Sequence, residues 1–342
     1  MKSVAVQDAV GLVLCHDITE IVPGERKGVA FKRGHVVRPE DIEHLLRLGK
    51  ENLYVWSDQA EGLVHEDDAA RRIAAAIAGD NVNYSGTPSE GRINLKSAIQ
   101  GLFVLNTELL DSLNDIPDVS VATIHTLREV RAGQELGGTR VIPLCAPEES
   151  LLAVERLCRA QGPLMEVLPF ASFKVGVVTT GSEVFHGRIK DAFTPVLKEK
   201  FAAWGSEVSF QTIVPDEPGK TIKAIGEALK RGCNMVAVTG GMSVDPDDKT
   251  PAAIREVSGQ VVIYGTPVLP GAMFMLGYKG EVPILGLPGC VMYRRASVFD
   301  LVVPRLLAGQ RLTRRDFTRL GHGGYCFQCP ECHFPNCSFG QG

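Results

Sequence analysis

From Phe173 onward, short apolar runs alternate with amphipathic helical stretches, and few folds accommodate that pattern. "FKVGVVTTG", "EVSFQTIV", "NMVAVTGG" and "VPILGLPG" read as strands. "FTPVLKEKFAAWG", "EPGKTIKAIGEALKRG", "TPAAIREVSG" and one long "VMYRRASVFDLVVPRLLAG" read as helices. Strands that are apolar nearly throughout need cover on both faces, which helices supply in a parallel sheet. The predicted class is α/β: a three-layer domain with a parallel or mixed sheet, preceded by smaller α+β regions. In such sheets ligands sit beyond the C-terminal strand ends. Three loops follow predicted strands here: Thr179–Glu183, Thr239–Asp248 and Leu287–Cys290. A parallel sheet opens all three on one edge.

The 342 residues allow two or three domains. We expect an N-terminal α+β region over 1–60, a middle α+β region over 61–171, the α/β domain over 172–310, and a linker with a cysteine-rich tail over 311–342. "RPEDIEHLLRLG", "EDDAARRIAAAIAG" and "PEESLLAVERLCRAQG" carry helix starts, stops and apolar faces in the first half. The formal net charge of -4 argues against nucleic acid as partner. No apolar run reaches membrane-spanning length, and Gln7 and Asp8 interrupt any signal-peptide core. The expected setting is the cytoplasm.

The second loop holds the densest chemistry. Gly240 and Gly241 let backbone approach a ligand, with the hydroxyls of Thr239 and Ser243 beside them. A helix opening at Thr250-Pro251 offers unpaired N–H groups and a positive dipole end, and Lys249 adds a cation. Together these form a phosphate cradle. Asp245, Asp247 and Asp248 would repel phosphate unless a cation intervenes. Carboxylates beside phosphate commonly hold Mg²⁺, with Asp247 and Asp248 as ligands and Glu183 nearby as a further acid. Taken alone, such a loop is more simply a helix cap; the double glycine and the two companion loops tip the reading toward a site. Arg188, Lys190 and Asp191 ahead of a helix, and Arg294 and Arg295 after the third loop, are candidate clamps or plain surface charges.

Residues from about Lys174 to Gly309 resemble the molybdopterin-binding domain that molybdopterin molybdenumtransferases, molybdopterin adenylyltransferases and competence-damage-type nucleotide pyrophosphatases share. The transferase pattern has Thr-Gly-Asp-Glu, then Gly-Gly-Val-Ser-Val-Gly followed by acids, then Leu-Pro-Gly-Asn-Pro. Here the segments are Thr180-Gly181-Ser182-Glu183, Gly240-Gly241-Met242-Ser243-Val244-Asp245 and Leu287-Pro288-Gly289-Cys290-Val291. "AVGLVLCHDI" is similar to the transferase opening and "SVFDLVVPRLL" to its closing helix. Ser182 replaces an aspartate, Cys290-Val291 replaces Asn-Pro, and residues 60 to 170 match no inserted-domain motif. "DDKTPAA" is closer to the adenylyltransferase and pyrophosphatase versions.

The resemblance implies a pterin ligand, molybdopterin or its adenylyl form. Thr180, Gly181, Ser182, Gly240, Gly241, Met242, Ser243, Lys249, Thr250, Pro288 and Gly289 would contact it. Glu183, Asp245, Asp247 and Asp248 would act in catalysis. It implies Mg²⁺-dependent insertion of molybdate in molybdenum cofactor biosynthesis, and an assembly as a homodimer. Two other readings stand beside it. One is a non-catalytic carrier that delivers the cofactor to a molybdoenzyme client, which Ser182 favours. The other is a nucleotide pyrophosphatase or adenylyltransferase on the same domain.

The tail "GHGGYCFQCPECHFPNCSFGQG" spaces Cys326, Cys329, Cys332 and Cys337 as C-x2-C-x2-C-x4-C. Four thiolates at this spacing suit Zn²⁺ or an iron–sulfur cluster, with His333 as a substitute ligand. The tail reads as a feature separate from the α/β core.

Overall fold

A computed structural model of the chain describes residues 2–22, 24, 26–55, 62–243, 245 and 248–341. The chain divides into two compact units: residues 1–97, 105–124 and 133–166 form one, and residues 98–104, 125–132 and 167–342 the other. This division differs from the four consecutive segments expected from sequence. The first unit takes in most of both N-terminal regions, and the second recruits two short segments from the middle of the chain.

The first unit is built of short sheets and helices. Lys2–Ala5 pairs antiparallel with Asn52–Val55, and Ile18–Val22 with Arg26–Phe31. Leu14, Ile18, Leu45 and Leu53 are fully or almost fully buried at their centre. A four-stranded sheet runs in the order Val82–Tyr84, Arg92–Ser97, Glu135–Val141, Val119–Thr123. The helix Glu66–Ile77 buries Ala69, Ala70, Ile73, Ala74 and Ile77 at helical spacing.

The second unit carries the α/β domain. Its elements are β1 (Lys174–Thr180), α1 (Phe193–Ala203), β2 (Glu207–Val214), α2 (Pro218–Lys230), β3 (Met235–Thr239), α3 (Thr250–Val257), β4 (Gln260–Tyr264), β5 (Met275–Lys279), β6 (Val282–Leu287), α4 (Val298–Leu307) and α5 (Arg314–Arg319). The six strands lie in the order β2-β1-β3-β6-β5-β4. β2, β1, β3 and β6 are parallel, while β5 runs antiparallel to both β6 and β4. The sheet is therefore mixed, as its class allowed.

Alternation along the strands divides the core into two layers. Val175, Val177, Met235, Ala237 and Leu285 pack with Leu197 and Phe201 of α1 and Phe299 and Val303 of α4. Val178, Val236, Val238 and Ile284 face the other way, onto Ala224 and Ile225 of α2 and Ile254 of α3. These are the three predicted layers.

Two expectations need correction. The predicted long helix is broken: a one-turn helix, Cys290–Tyr293, ends at Arg294 in an extended conformation, and α4 starts afresh after Ser297. Ser297 and Asp300 form a reciprocal capping box, and Asp300 is also paired with Lys200 of α1. Fixing α4 by its own cap outweighs continuing the helix. Nor is the tail separate from the core. Phe317 and Phe339 belong to the main apolar cluster, with Cys326, Phe334 and Cys337 packed against it.

Candidate functional site

The chain leaves β1 to one side for β2 and later returns to β1's other side for β3. That reversal places a crevice at the C-terminal ends of β1 and β3, where open α/β sheets receive ligands. Thr179 pairs in register with Thr239, and Thr239 with Leu287. The three predicted loops therefore leave neighbouring parallel strands at one level of the sheet edge.

The first two loops interlock closely. Gly240 has φ +83°, and a Cβ on it would stand 2.1 Å from the Thr180 carbonyl oxygen. Only glycine fits both requirements. Gly241, at φ +54°, lies against Thr250 in the same way, 2.8 Å from a built Cβ to Oγ1. The buried hydroxyls of Thr180 and Thr250 hydrogen-bond at 3.1 Å and join β1 to the start of α3. Thr180 and Thr250 thus hold the glycine turn in place.

The other predicted residues divide by what already occupies them. Ser182 opens a one-turn helix, Ser182–Phe185, and its N–H donates to Asp216 Oδ2 at 2.8 Å. Glu183 lies exposed on that turn. Ser243 N–H donates to Asp248 Oδ2 at 2.7 Å, so one oxygen of Asp248 closes the loop. Asp245 is exposed and receives the Asp248 N–H at its carbonyl, 2.9 Å. Asp247 lies outside the described residues. Lys249 is exposed immediately before α3. Pro288 is buried and Gly289 exposed at the third loop, where the Val291 and Met292 N–H groups donate back to their carbonyls at 3.1 Å each.

Met242 does not fit its expected role. Its side chain is 4% exposed and fills the space that a Cβ on Gly286 would take, 2.6 Å from Cε. Its carbonyl accepts a hydrogen bond from the Tyr264 hydroxyl at 3.4 Å. An apolar side chain at this point of the alternation is drawn into the layer under α3 instead of toward a ligand.

One residue of the site was not singled out in the sequence, and two others have surroundings different from those read there. Asp216, two residues past β2, brings a carboxylate to the first loop. Asp191 accepts from the N–H groups of Phe193 and Thr194 at 2.9 and 3.3 Å and from the hydroxyls of Thr194 and Thr179 at 2.5 and 3.2 Å. It is a helix cap tied to the end of β1, not a ligand clamp. Thr239, named in the sequence only as a flanking hydroxyl, is fully buried, and its Oγ1 has no hydrogen-bond partner among the described residues. Such a group costs stability unless something satisfies it.

The acids suit Mg²⁺ by donor chemistry. Asp245 and Asp248 offer hard carboxylate oxygens, and Mg²⁺ commonly takes only one or two of these beside water and phosphate. Among the described residues, no three His, Cys, Asp or Glu side chains converge on one ion position. The tail cysteines are in no disulfide. All four line one cavity of about 410 Å³ without meeting at a point.

No helix among the described residues is long and apolar enough to cross a membrane. Residues 176–308 match the family described as "Probable molybdopterin binding domain", and residues 3–57 match a domain of unknown function (DUF8806). A molybdopterin molybdenumtransferase from Synechococcus elongatus is 24% identical over 176 residues, 48% of this chain and 44% of that protein. A molybdopterin adenylyltransferase from Pyrococcus furiosus is 30% identical over 94 residues, 28% of this chain and 55% of that protein. A CinA-like protein from Mycobacterium sp. (strain MCS) is 28% identical over 95 residues, 28% of this chain and 23% of that protein. The chain thus spans only part of each of these curated relatives. A solved structure, that of the molybdopterin biosynthesis enzyme MoaB from Thermus thermophilus, is 27% identical, with 40% of this chain and 98% of that chain covered at a TM-score of 0.35. Residues 176–308 are thus the part of the chain that matches the molybdopterin-binding domain family.

Proposed function

We propose that the chain binds molybdopterin or its adenylyl form in the crevice between β1 and β3 and inserts molybdate into it with Mg²⁺. The observation that carries this reading is the meeting of three loops at one sheet edge, with a glycine turn locked against Thr180 and a buried hydroxyl on Thr239 left to satisfy. The start of α3 and Lys249 would face the terminal phosphate or pyrophosphate, where positive potential is strongest. Asp245, Asp248 and Asp247 would hold Mg²⁺. Bound there, the ion would neutralise charge developing on phosphate oxygens.

The chain's own residues do the positioning. Gly240 and Gly241 allow close backbone approach, and the Thr180–Thr250 bond keeps that backbone from moving away. Asp216 carries a carboxylate beside Ser182, where the transferase pattern has an aspartate on the first loop. This favours the enzyme over the carrier, whose sequence argument was the acid missing at Ser182. Adenylyl transfer or pyrophosphate cleavage on the same site remains the reading to separate.

The deciding experiment mixes the protein with adenylyl-molybdopterin, molybdate and Mg²⁺ and follows release of nucleotide and of molybdenum-loaded pterin. Molybdate-dependent release is expected, with loss of at least tenfold in rate for Asp247→Asn/Asp248→Asn. Tight binding of the pterin with no release would identify a carrier. Release independent of molybdate would identify a pyrophosphatase.

A further inference from the structure

We propose that Cys326, Cys329, Cys332 and Cys337 hold one thiolate-ligated metal centre in the cavity that they line beside Arg294 and Arg295. The inference does not depend on the pterin reading. It rests on three features of the tail.

First, the ends of the cysteine segment are anchored. The Cys326 N–H donates to the Leu269 carbonyl at 2.8 Å, and the Arg128 guanidinium donates to the Cys337 carbonyl at 2.8 Å. The Gly340 N–H donates to the Gly323 carbonyl at 2.9 Å, and Phe339 is 2% exposed. Cys326 and Cys337 are therefore half-buried and fixed, while Cys329 and Cys332 are exposed on the loop between them. Binding would draw that loop inward.

Second, the first C-x2-C turn already has the geometry of a thiolate ligand. The Gln328 N–H points at Cys326 Sγ, at 3.5 Å, with Gln328 at φ +54°. A backbone N–H aimed at sulfur stabilises the charged thiolate and orients it toward a metal. The positive φ that aims this donor costs a non-glycine residue energy.

Third, the cavity wall carries cations. Four thiolates around a divalent ion, or around a four-iron cluster with core charge +2, leave a net charge of about -2. Arg294 and Arg295 line the same cavity, together with one acid, Glu331. Cations at the wall would offset part of the negative charge that such a centre carries. A cavity of about 410 Å³ also exceeds what one ion needs, so it admits a cluster as readily as zinc. The shared chemistry is tetrathiolate ligation.

The one-turn helix Cys290–Tyr293 is all that separates this wall from Pro288 and Gly289 of the third loop. Loading the centre would therefore fix the segment that follows a crevice loop. It would also protect residues 328–333 from proteolysis.

The test is anaerobic purification of the full chain, followed by assay of zinc, iron and acid-labile sulfide. A second arm reconstitutes metal-free, reduced protein separately with Zn²⁺ and with Fe²⁺ plus sulfide. The expected result is about one zinc, or about four irons with sulfide, per chain. Either outcome supports the centre and names it. Cys329→Ser/Cys332→Ser should reduce the metal at least fivefold with an unchanged circular dichroism spectrum, because both side chains are exposed. A chain that is metal-free as purified and takes up neither ion would overturn the proposal, as would a double variant that keeps full stoichiometry.

Discussion

Thr239 shows how much one buried side chain can say about a ligand. It ends β3 in register with Thr179 and Leu287, and alternation puts it on the Ala237 face of the sheet. Thr179, its neighbour, donates to Asp191, whereas Thr239 has no such partner among the described residues. Replacing it by the near-isosteric valine removes an unsatisfied hydroxyl. Thr239→Val should leave the unliganded protein as stable or up to about 1 kcal/mol more stable. If the hydroxyl serves the ligand, the same change should weaken pterin binding by roughly tenfold. Thermal unfolding without ligand and a binding titration read the two effects separately. Unchanged affinity would return Thr239 to a purely structural role. In the sequence this residue is one hydroxyl beside two glycines, and nothing local marks it as unpaired. Gly240 is more legible, because a double glycine after an apolar strand already signals close backbone approach. Asp216 is not, because its contact with Ser182 spans 34 residues.

At the scale of elements, strands that are apolar throughout give themselves away by composition. β1, β3 and β6 are buried on both faces, so each is a run of apolar residues and can be found without knowing its neighbours. The antiparallel strands β4 and β5 escape such a reading, since "QVVIY" and "MLGYK" look like connections until paired with β6. The break between Tyr293 and Val298 escapes it for a related reason. Helical periodicity runs across it, and only the Ser297–Asp300 capping box and the Lys200 pairing decide against continuity. A second long-range device ties α4 to α5: Arg305, 8% exposed, pairs with Asp316 at 2.5 Å. Burial pushes the Asp316 carboxyl up, but Thr313 and Arg305 outweigh it, and its pKa falls below the ordinary 3.8. A depressed carboxylate contributes stability above its unfolded pKa and loses it as pH falls through the folded value. Asp316→Asn should therefore cost about 2 kcal/mol at pH 7 by stranding Arg305, less than a fully buried pair would because Asp316 is partly solvated. The gap between variant and wild type should close as pH falls through that lowered pKa. Denaturant unfolding at pH 7 and along an acid series measures this, and a pH-independent gap would mean that the ion pair is not its source.

At the scale of the whole molecule, sequence and structure part most clearly over what completes the α/β unit. Read from sequence, the domain ends near residue 310, because the recognisable strand and helix pattern ends there. Yet the second unit also takes residues 98–104 and 125–132, with Trp204 Nε1 donating to Glu129 at 2.8 Å. It takes the tail as well. Phe317 stacks on Phe274 with ring centroids 5.9 Å apart, and Phe339, 2% exposed, sits edge-on to Phe334 at 6.0 Å. Glycine-rich and cysteine-rich tails give no periodic signal, so packing of this kind cannot be read from spacing. A chain ending at Leu320 would lose Phe339 and Phe334 and uncover the apolar surface beneath them. Removing buried aromatic side chains costs on the order of 3 to 5 kcal/mol, even with partial collapse of the gap. For a unit of this size that corresponds to a fall of roughly 10 °C in Tm. The comparison should be made with both chains stripped of metal by chelator under reducing conditions, so that only packing is measured. A clear loss in the shortened chain is expected, in the transition that reports on the α/β unit. Equal midpoints would mean that the α/β unit stands without its tail, and that the cysteine segment is an appendage after all.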